Sequence, residues 1–534
     1  MTATATPASG SAAPSAWAPF GHRAFLLLWG ATLISNIGTW MHEVGAGWLM
    51  TTLNSSPAVV SLVQAATTLP VFLFALYAGA LADRMDKRKM LIAINVFLLA
   101  VVSALALLVH FSLVTPVTLI LFTLAIGTGT AFMAPAWQAV VPSLVPREAL
   151  QPAIALNSMG VNISRAIGPA LAGVLIATVG LSAPFAINAL SHVVIIVALL
   201  LWTNTAPVTK TSQPIANAMM TGLRHVVHNG PLKATLLRSF AFFIFASAYW
   251  ALLPLVVGNI EGGGAPLYGT LLTLIGTGAV AGALLLPRLR ARLDANHMAL
   301  AGTLGTGLAM AVLALARDPV SAGAAALLGG FSWIAVLTTF NVSAQTALPN
   351  WVRARGLAVN LMVFFGSMAA GATLWGQVAT ATSITMALLI AATGLVLAIP
   401  LTWRFKLGQA EGLDLTPSMH WPAPEVALPE DGLGDRGPVM ITVEYKIRPQ
   451  DTDAFVAAVT EWSQERWRDG AFEWRLYQSA EDPDLWIEAF SVSSWEEHLA
   501  QHNRVSQADK DIQTRVRAFD IRDGGPVVKH FIAP

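Results

Sequence analysis

Two charged residues lie well inside long apolar segments of the chain, Glu43 and Arg165. A charged side chain at membrane depth is costly unless it is paired or faces a water-filled cavity, so such residues often mark a transport pathway. A carboxyl group there can take up and release a proton, because burial and a nearby cation act on its charge in opposite directions. Both residues are therefore candidates for proton coupling. The alternative interpretation has equal support: Glu43 extends to the membrane surface, and Arg165 is a static charge in a cavity.

Uncharged polar side chains and tryptophans in the same apolar segments could line a cavity for a solute. Together they offer hydrogen bonds and broad apolar faces, which suit a bulky amphipathic solute better than a sugar or an ion. The alternative for the tryptophans is a place in the aromatic belt at the membrane surface. The cavity candidates are Asn36, Trp40, Trp137, Gln138, Asn162, Asn341 and Gln345.

Chemistry of other kinds has little support in the sequence. His498 and His502 have the one-turn spacing of a helical metal pair, but no further ligands can be identified and solvated helix residues are the default. The chain has no cysteine, which excludes disulfides, a thiolate nucleophile and cysteine-based metal sites. We therefore predict no catalytic residues, no metal and no cofactor.

The elements that must position these residues differ sharply between two parts of the chain. In residues 1–406 only 26 positions are charged, whereas residues 407–534 contain 35 charged positions. The net charges are +12 and −11. The fraction of charged residues in the first part is far below that of a soluble domain, and the fraction in the second part is ordinary for one. A single water-soluble globule, a secreted disulfide scaffold and a nucleic-acid-binding protein are excluded.

Apolar runs of about 20 residues, the length of a membrane span, occur twelve times. The predicted spans are 24–50, 58–82, 90–110, 115–141, 150–178, 183–202, 235–258, 267–287, 298–316, 320–347, 356–378 and 381–403. The predicted organisation is a disordered N-terminus at 1–23, a six-helix half at 24–202, a central loop at 203–234, a second six-helix half at 235–406, a linker at 407–437 and a soluble domain at 438–534. Within the central loop, 215–228 has the apolar spacing of an amphipathic helix at the membrane surface.

Basic residues predict the orientation. With the N-terminus in the cytoplasm, 17 of the 19 Lys and Arg residues of the membrane part fall on the cytoplasmic side and only Arg317 falls on the other. This strong positive-inside bias places both ends of the chain in the cytoplasm.

Two sequence matches indicate that the halves are repeats in parallel orientation. Gly79-Ala-Leu-Ala-Asp-Arg after the second span has a counterpart at Gly282, and Gln138-x3-Pro142 recurs as Gln345-x3-Pro349. The two offsets are nearly equal, and such six-plus-six repeats are typical of major facilitator transporters.

The loop after the second span resembles the signature loop of the major facilitator superfamily. The residues that carry the resemblance are Gly79, Asp83, Arg84 and Arg88, and Asp86 stands where the family has glycine. The resemblance implies a cytoplasmic latch in which Asp83 faces the start of the eleventh span and Arg88 completes a charge network. The alternative is a loop whose basic residues only set the topology.

The fifth span contains Gly160, Gly168-Pro169 and Gly173, which resemble the antiporter motif of exporters in this superfamily. The resemblance implies a hinge at Gly168, Pro169 and Gly173, and the alternative is ordinary packing of small residues. Further matches, at 35–41, 134–138, 141–148 and 223–229, are similar to the transmembrane secretion effector branch, to which the enterobactin exporter belongs.

The C-terminal part reads as βαββαβ, the order of a ferredoxin-like domain. It resembles the antibiotic-biosynthesis-monooxygenase group of dimeric α+β barrels, which implies self-association. Its acidic charge predicts weak docking beneath the basic loops of the membrane part.

The fold class predicted is thus an all-α membrane protein of twelve helices in two parallel repeats, with a cytoplasmic ferredoxin-like α+β domain. The resemblance implies a proton-coupled exporter of a siderophore or drug in the bacterial cytoplasmic membrane, with the small-molecule substrate, protons and the lipid bilayer as partners. The alternatives are a transporter with a catalytically active, cofactor-free tail, and an uptake symporter.

Overall fold

The computed structural model describes residues 15–203, 215–421, 424, 434 and 436–533. The side chains of Ala80, Asp83, Ala139, Arg147, Thr221 and residues 215–219 are outside this description. The predicted disorder at 1–14 and the predicted role of the Asp83 side chain therefore lie outside the described residues. A 3-10 turn at Ala18–Gly21 precedes the first long helix, within the segment that the sequence predicts to be disordered.

Twelve of the described helices are long and apolar enough to cross a membrane, which confirms the predicted number. They are α1 Arg23–Leu53, α2 Pro57–Arg84, α3 Lys87–His110, α4 Pro116–Val140, α5 Leu150–Thr178, α6 Ala183–Leu201, α8 Gly230–Val257, α9 Ala265–Arg290, α10 Ala295–Leu315, α11 Pro319–Thr346, α12 Arg353–Ala381 and α13 Ile384–Thr402. The helix α7, Ile215–His228, is too short to cross. We call the side of the bundle where α2 ends and α3 begins the basic end, and the opposite side the far end.

Polar caps fix where several of these helices begin. Asp86, Asp294 and Asp318 each accept a hydrogen bond from a backbone N–H of the first turn that follows them. Such acceptors satisfy N–H groups that have no partner within the helix. The helix α8 begins at Gly230, five residues before the predicted span, because the Asn229 side chain accepts from the N–H of Leu232.

The two halves meet mainly along two helix pairs, α2 with α12 and α5 with α9. Within the first half, α1 packs on α5 and α6, and within the second half α8 packs on α12 and α13. Each half has its own buried apolar core, but the core of the second half also takes in Met41 and Val44 of α1. The helix α1 is therefore in contact with both halves.

The C-terminal domain contains α14 Thr452–Arg468, α15 Trp495–Arg504 and α16 Gln507–Arg517 together with four strands, β1 Val439–Lys446, β2 Glu473–Gln478, β3 Leu485–Val492 and β4 Val527–Ile532. The sheet order is β2-β3-β1-β4, and every neighbouring pair is antiparallel. This is the ferredoxin-like arrangement that the element order predicts. The single helical stretch predicted at 494–519 is two helices, because Ser506 and Asp509 form a capping box that starts a new one.

Residues 407–421 join the membrane part to this domain, and we call them the strap. The sequence predicts a linker at 407–437, but Leu407 and Ala410 are buried against the second half. Trp421, at the other end of the strap, packs against the core of the C-terminal domain. The strap is thus fastened at both of its ends.

Candidate functional site

Small residues hold α5 and α9 together in the half of the bundle nearer the far end. A Cβ built at Gly269 would lie 2.5 Å from the carbonyl oxygen of Pro169, and one built at Gly173 would lie 3.0 Å from the carbonyl oxygen of Ala265. A Cβ at Gly168 would lie 2.5 Å from the Cβ of Trp40. The three predicted hinge residues therefore sit where α5 packs against α1 and α9 at backbone distance.

The other pair of helices between the halves is also closely packed near the far end. The N–H of Ala58 at the start of α2 donates to Thr380 Oγ1 near the end of α12, at 2.9 Å. A Cβ at Gly376 would overlap the hydroxyl of Ser61, which is fully buried. Together with the α5–α9 contact, this packing seals the far end between the two halves. We call these two contacts the far-end seal.

One face of α1 carries four residues at spacings of four, three and four, namely Asn36, Trp40, Glu43 and Gly47. Trp40 contacts Gly168 of α5, and Gly47 lies against the hydroxyl of Tyr268 on α9. Glu43 lies between these two contacts and its side chain is exposed. The glutamate therefore points into the region shared by the two halves rather than to the lipid side of α1.

Arg165 lies at the middle of α5, at the crossing with α9. Its guanidinium carbon is 5.3 Å from the centroid of the Trp40 ring, and its Nε has no hydrogen-bond partner among the described residues. Arg165 and Glu43 act on each other electrostatically. The described residues nevertheless contain no ion pair between them. The structure thus brings the two predicted charges into one neighbourhood without joining them in an ion pair.

The other cavity candidates are divided between the two halves. In the first half, Trp137 Nε1 donates to Asn157 Oδ1 at 3.1 Å, Gln138 is exposed, and Asn162 donates to its own helix. In the second half, Asn341 accepts from Asn360 Nδ2 at 3.3 Å, and Gln345 is exposed.

Gln138 and Gln345, which the sequence matches as repeat partners, both lie near the basic end of their helices. The hydrogen bonds of the described candidates stay within one half. These residues therefore form two separate walls rather than one joined cluster.

The described contacts of the signature loop are caps of neighbouring helices. Arg88 donates from Nε to the carbonyl oxygen of Leu199 at 2.7 Å and from Nη2 to that of Leu200 at 2.8 Å, at the end of α6. The last carbonyl groups of a helix have no hydrogen-bond donor within that helix, and here the arginine supplies the donors. Asp86, which replaces the usual glycine, caps α3.

Among the described residues Arg88 thus caps the end of α6, and its predicted part in a charge network with Asp83 stays a prediction. Gly79 lies in α2 with open space around its Cβ position, and Arg84 is the last residue of the helix.

Three histidines of the C-terminal domain lie close together. The rings of His498 and His502 are 5.0 Å apart, and His530 lies 4.7 Å from His498. Among the described residues there is no group of three that could hold a metal ion. Burial, with His530 and His502 nearby, lowers the pKa of His498 to about 3, so this residue stays neutral. It is buried rather than solvated, contrary to the default expectation.

A buried polar cluster in the C-terminal domain was missed by the sequence reasoning. Arg466 Nε donates to Glu488 Oε1 at 3.0 Å, and the same carboxylate accepts from Tyr445 and Trp474, each at 3.1 Å. The signal was present, because Glu488 occupies an inward position of β3 and Arg466 continues the buried stripe of α14. Since every member touches the same carboxylate, the cluster fixes α14 on the sheet.

Two six-helix halves, a seal between them at one end and two charged residues of the first half beside that seal give the architecture of a transporter of the major facilitator type. The fold agrees with solved transporters. The nucleoside transporter NupG has a TM-score of 0.59 at 12% identity, covering 72% of this chain and 99% of its own. A bacterial homologue of the human lysosomal transporter Spinster, in an inward-facing and unoccupied conformation, has a TM-score of 0.56 at 15% identity, covering 72% and 96%.

The chain belongs to the transmembrane secretion effector family, whose model matches residues 14–534. The match includes the C-terminal domain as well as the membrane part. The protein is accordingly a multi-pass membrane transporter, and its family and relatives are transporters rather than enzymes.

Similar curated proteins include the staphyloferrin A transporter of Staphylococcus aureus, which is 24% identical over 331 residues, 61% of this chain and 82% of that protein. Enterobactin exporter EntS of Citrobacter koseri is 26% identical over 324 residues, 60% of this chain and 76% of the exporter. Macrolide efflux protein A of Streptococcus pyogenes is 31% identical over 171 residues, 32% of this chain and 42% of that protein.

Proposed function

We propose that this protein is a proton-coupled exporter that moves an amphipathic small molecule, a siderophore or a drug, across the bacterial cytoplasmic membrane. The observation that carries the proposal is the position of Glu43. Its exposed side chain lies between a contact to α5 and a contact to α9, beside the far-end seal. A carboxyl group at this point changes its surroundings whenever the two halves separate, which is the requirement for coupling a proton to the conformational change.

The proton step follows from the helices that surround the glutamate. When the far end is sealed, Trp40 lies against Gly168 and Gly47 lies against Tyr268. Opening the far end moves α9 away from α1 and α5, so the Glu43 carboxylate is exposed to that side and takes up a proton. Closing the seal brings α9 back against α1, so the carboxyl group loses its access to that side and releases the proton toward the basic end.

The cargo class is supported by the difference between the walls of the two halves. The second half carries a group of aromatic rings in which Phe243 and Phe364 are 4.5 Å apart and Trp250 and Trp333 are 5.4 Å apart. The first half presents charges and amides. One half rich in aromatic rings and another that carries charges and amides suit an amphipathic solute, and the names of the relatives include an enterobactin exporter and a macrolide efflux protein.

The basic end is proposed to face the cytoplasm, with both ends of the chain on that side. The bias of Lys and Arg toward one side supports this orientation. In this orientation the far-end seal closes the transporter toward the outside. Cargo would then enter from the cytoplasm, past the exposed glutamines of the two walls.

The proposal is tested by export into the medium and by efflux from proteoliposomes. A panel of a catecholate siderophore, a carboxylate siderophore and a macrolide is loaded inside, and an imposed pH gradient drives export. Glu43→Gln should abolish the response to the gradient while cargo binding in detergent persists, because the amide keeps the shape but carries no transferable proton. The matched control is Glu261→Gln, which removes an exposed carboxylate from the loop between α8 and α9.

Gradient-driven efflux that survives in Glu43→Gln would refute the role of this residue. Gradient-driven entry of cargo added outside, instead of loss of the loaded cargo, would favour the uptake symporter. A Glu261→Gln variant as inactive as Glu43→Gln would show that the loss reflects general damage rather than proton coupling.

A further inference from the structure

The beginning of the strap is built into the basic end of the second half. The N–H of Leu407 donates to Asn296 Oδ1 at 2.9 Å, and the same oxygen accepts from Arg238 at 2.8 Å. The N–H of Gly408 donates to Ser343 Oγ at 3.2 Å. Side chains of α8, α10 and α11 therefore hold the first residues after α13 in place.

The end of the strap is built into the C-terminal domain. The N–H of Ser418 donates to the carbonyl oxygen of Val505 at 2.8 Å, and Trp421 Nε1 donates to Gln513 at 2.8 Å. The N–H of Gln507 at the start of α16 donates back to the strap. Only a few residues separate these contacts from those at the beginning of the strap. The C-terminal domain is therefore held close to the second half instead of hanging on a loose linker of 30 residues.

The helix α7 carries the second attachment. The ring of His228 stacks on that of Trp467 with centroids 5.4 Å apart and planes inclined by 13°. Arg224 Nη1 donates to the carbonyl oxygen of Gly470 at 3.4 Å. Trp467 is half-buried and is not part of the core cluster of the C-terminal domain. The ring stacking described for Trp467 is therefore with α7.

The third attachment reaches the loop between α11 and α12. The guanidinium carbon of Arg504 lies 4.5 Å from the centroid of the Trp351 ring, and His225 of α7 meets the same ring edge-on at 5.4 Å. Burial, together with the charge of Arg468, lowers the pKa of His225 to about 4, so the imidazole is neutral in this contact. Trp351 in this loop is thus in contact with both α7 and the C-terminal domain.

These contacts lead to the helix pair that must move during transport. A Cβ built at Gly222 of α7 would lie 2.8 Å from the Cβ of Arg355, in the first turn of α12. The partner of α12 in the first half is α2, which ends at the signature loop. The position of the start of α12 is therefore set in part by α7, and that of α7 by the C-terminal domain.

We propose that the C-terminal domain is an intramolecular brake, docked on the surface formed by α7 and Trp351, that stabilises the arrangement in which the far end is sealed. Undocking frees the start of α12 and raises the population of the arrangement with the far end open. The inference rests on the proposed transport by alternation between these two arrangements. A ligand, here a tethered domain, shifts such an equilibrium only as far as its contacts differ between the two states.

The docking contacts are few enough to be reversible. A stacked ring pair and a guanidinium over a ring each change an equilibrium by about two- to tenfold. The strap keeps an undocked domain at a high effective concentration, so it finds its surface again quickly. Removing one contact should therefore weaken docking measurably without releasing the domain for good.

The chain has no cysteine, so a single introduced thiol reports on the far end. Ser61→Cys places that thiol in the far-end seal, where the side chain is fully buried, and its reaction with a soluble maleimide in nanodiscs measures opening. Trp467→Ala and His228→Ala each remove one side of the stack, and each should raise the labelling rate at least twofold. The double variant should add little to either single variant, because both remove the same contact.

The matched control is Arg515→Ala, which removes an exposed arginine of the C-terminal domain that pairs with Glu461. Its labelling rate should equal that of the parent. Unchanged labelling in both Trp467→Ala and His228→Ala, with the domain still folded by circular dichroism, would overturn the brake, as would an equal rise in Arg515→Ala. Because labelling needs neither cargo nor a proton gradient, failure of the brake and failure of the proposed export are distinguishable.

Discussion

A single added methyl group should open the far-end seal. The Cβ of Gly269→Ala would lie 2.5 Å from the carbonyl oxygen of Pro169, whereas ordinary contact begins at 3.4 Å. The clash is with backbone on both helices, so no side chain can turn away, and α5 and α9 must separate by about 0.9 Å. Overpacking of this kind costs about 1–3 kcal/mol. Since 1.4 kcal/mol is a factor of ten, the equilibrium between the sealed and the open arrangement should shift toward the open one by about five- to 150-fold.

The assay is the labelling of Ser61→Cys, with and without Gly269→Ala. The matched control is Gly30→Ala, another helical glycine, whose Cβ position has no atom within 4 Å. Labelling should be at least fivefold faster in Gly269→Ala and unchanged in the control. Equal rates in a well-folded Gly269→Ala protein would refute the view that small residues form the seal. The motif would then have to be interpreted through the kink at Pro169 alone.

Three further predictions concern the latch, the acidity of the C-terminal domain and its sheet. Asp83→Asn should cut transport at least tenfold in a folded, inserted protein, and rates equal to wild type would contradict the latch. Burial, with Asp509 nearby, raises the pKa of Asp469 to about 6 from the usual value of about 3.9. The folded domain therefore holds an extra proton between these values, and hydrogen-exchange protection of β3 should fall as the pH rises from 5 to 7.5. Asp469→Asn should flatten this dependence, and an unchanged slope would contradict it. Phe531, exposed on the face of the sheet that carries no helices, should mediate self-association, so Phe531→Asp should give a monomer in sedimentation; an unchanged mass would contradict this.

The twelve spans could be predicted from the sequence because each is a long apolar run, and hydrophobic length is a one-dimensional property. The order of elements in the C-terminal domain could be predicted for a similar reason, since its strands alternate and its helices have a buried stripe. The break between α15 and α16 was missed because it depends on the capping box at Ser506 and not on hydrophobic pattern. Local hydrogen bonds of this kind compete with a longer helix.

The candidate site was predicted in part. Glu43 and Arg165 are charges in apolar segments, so the sequence alone identifies them, and the structure places them near each other. Their relation to α9 depends on which glycines allow close contact between the halves, and no local pattern reveals that. The hydrogen bonds of Arg88 go to the end of α6, more than a hundred residues away, and no local pattern in the loop indicates that contact.

The docking of the C-terminal domain shows why net charge was a poor guide. The opposite charges of +12 and −11 predict attraction between the two parts. At the interface, however, both parts contribute arginines, Arg224 from α7 and Arg504 from α15, and these contact a carbonyl oxygen and a tryptophan ring rather than carboxylates. Arg504 has its acidic partner, Glu497, within its own domain.

Long-range attraction between exposed charges is screened by salt, whereas ring stacking and buried hydrogen bonds are much less so. The strap adds an anchor that needs no charge at all, because its hydrogen bonds to Asn296 and Ser343 are made by backbone N–H groups. The net charges can therefore bring the two parts together, but the position that the C-terminal domain takes is set by three local contacts. These contacts all act on the second half and α7, which is why a domain outside the membrane can influence the α2–α12 pair.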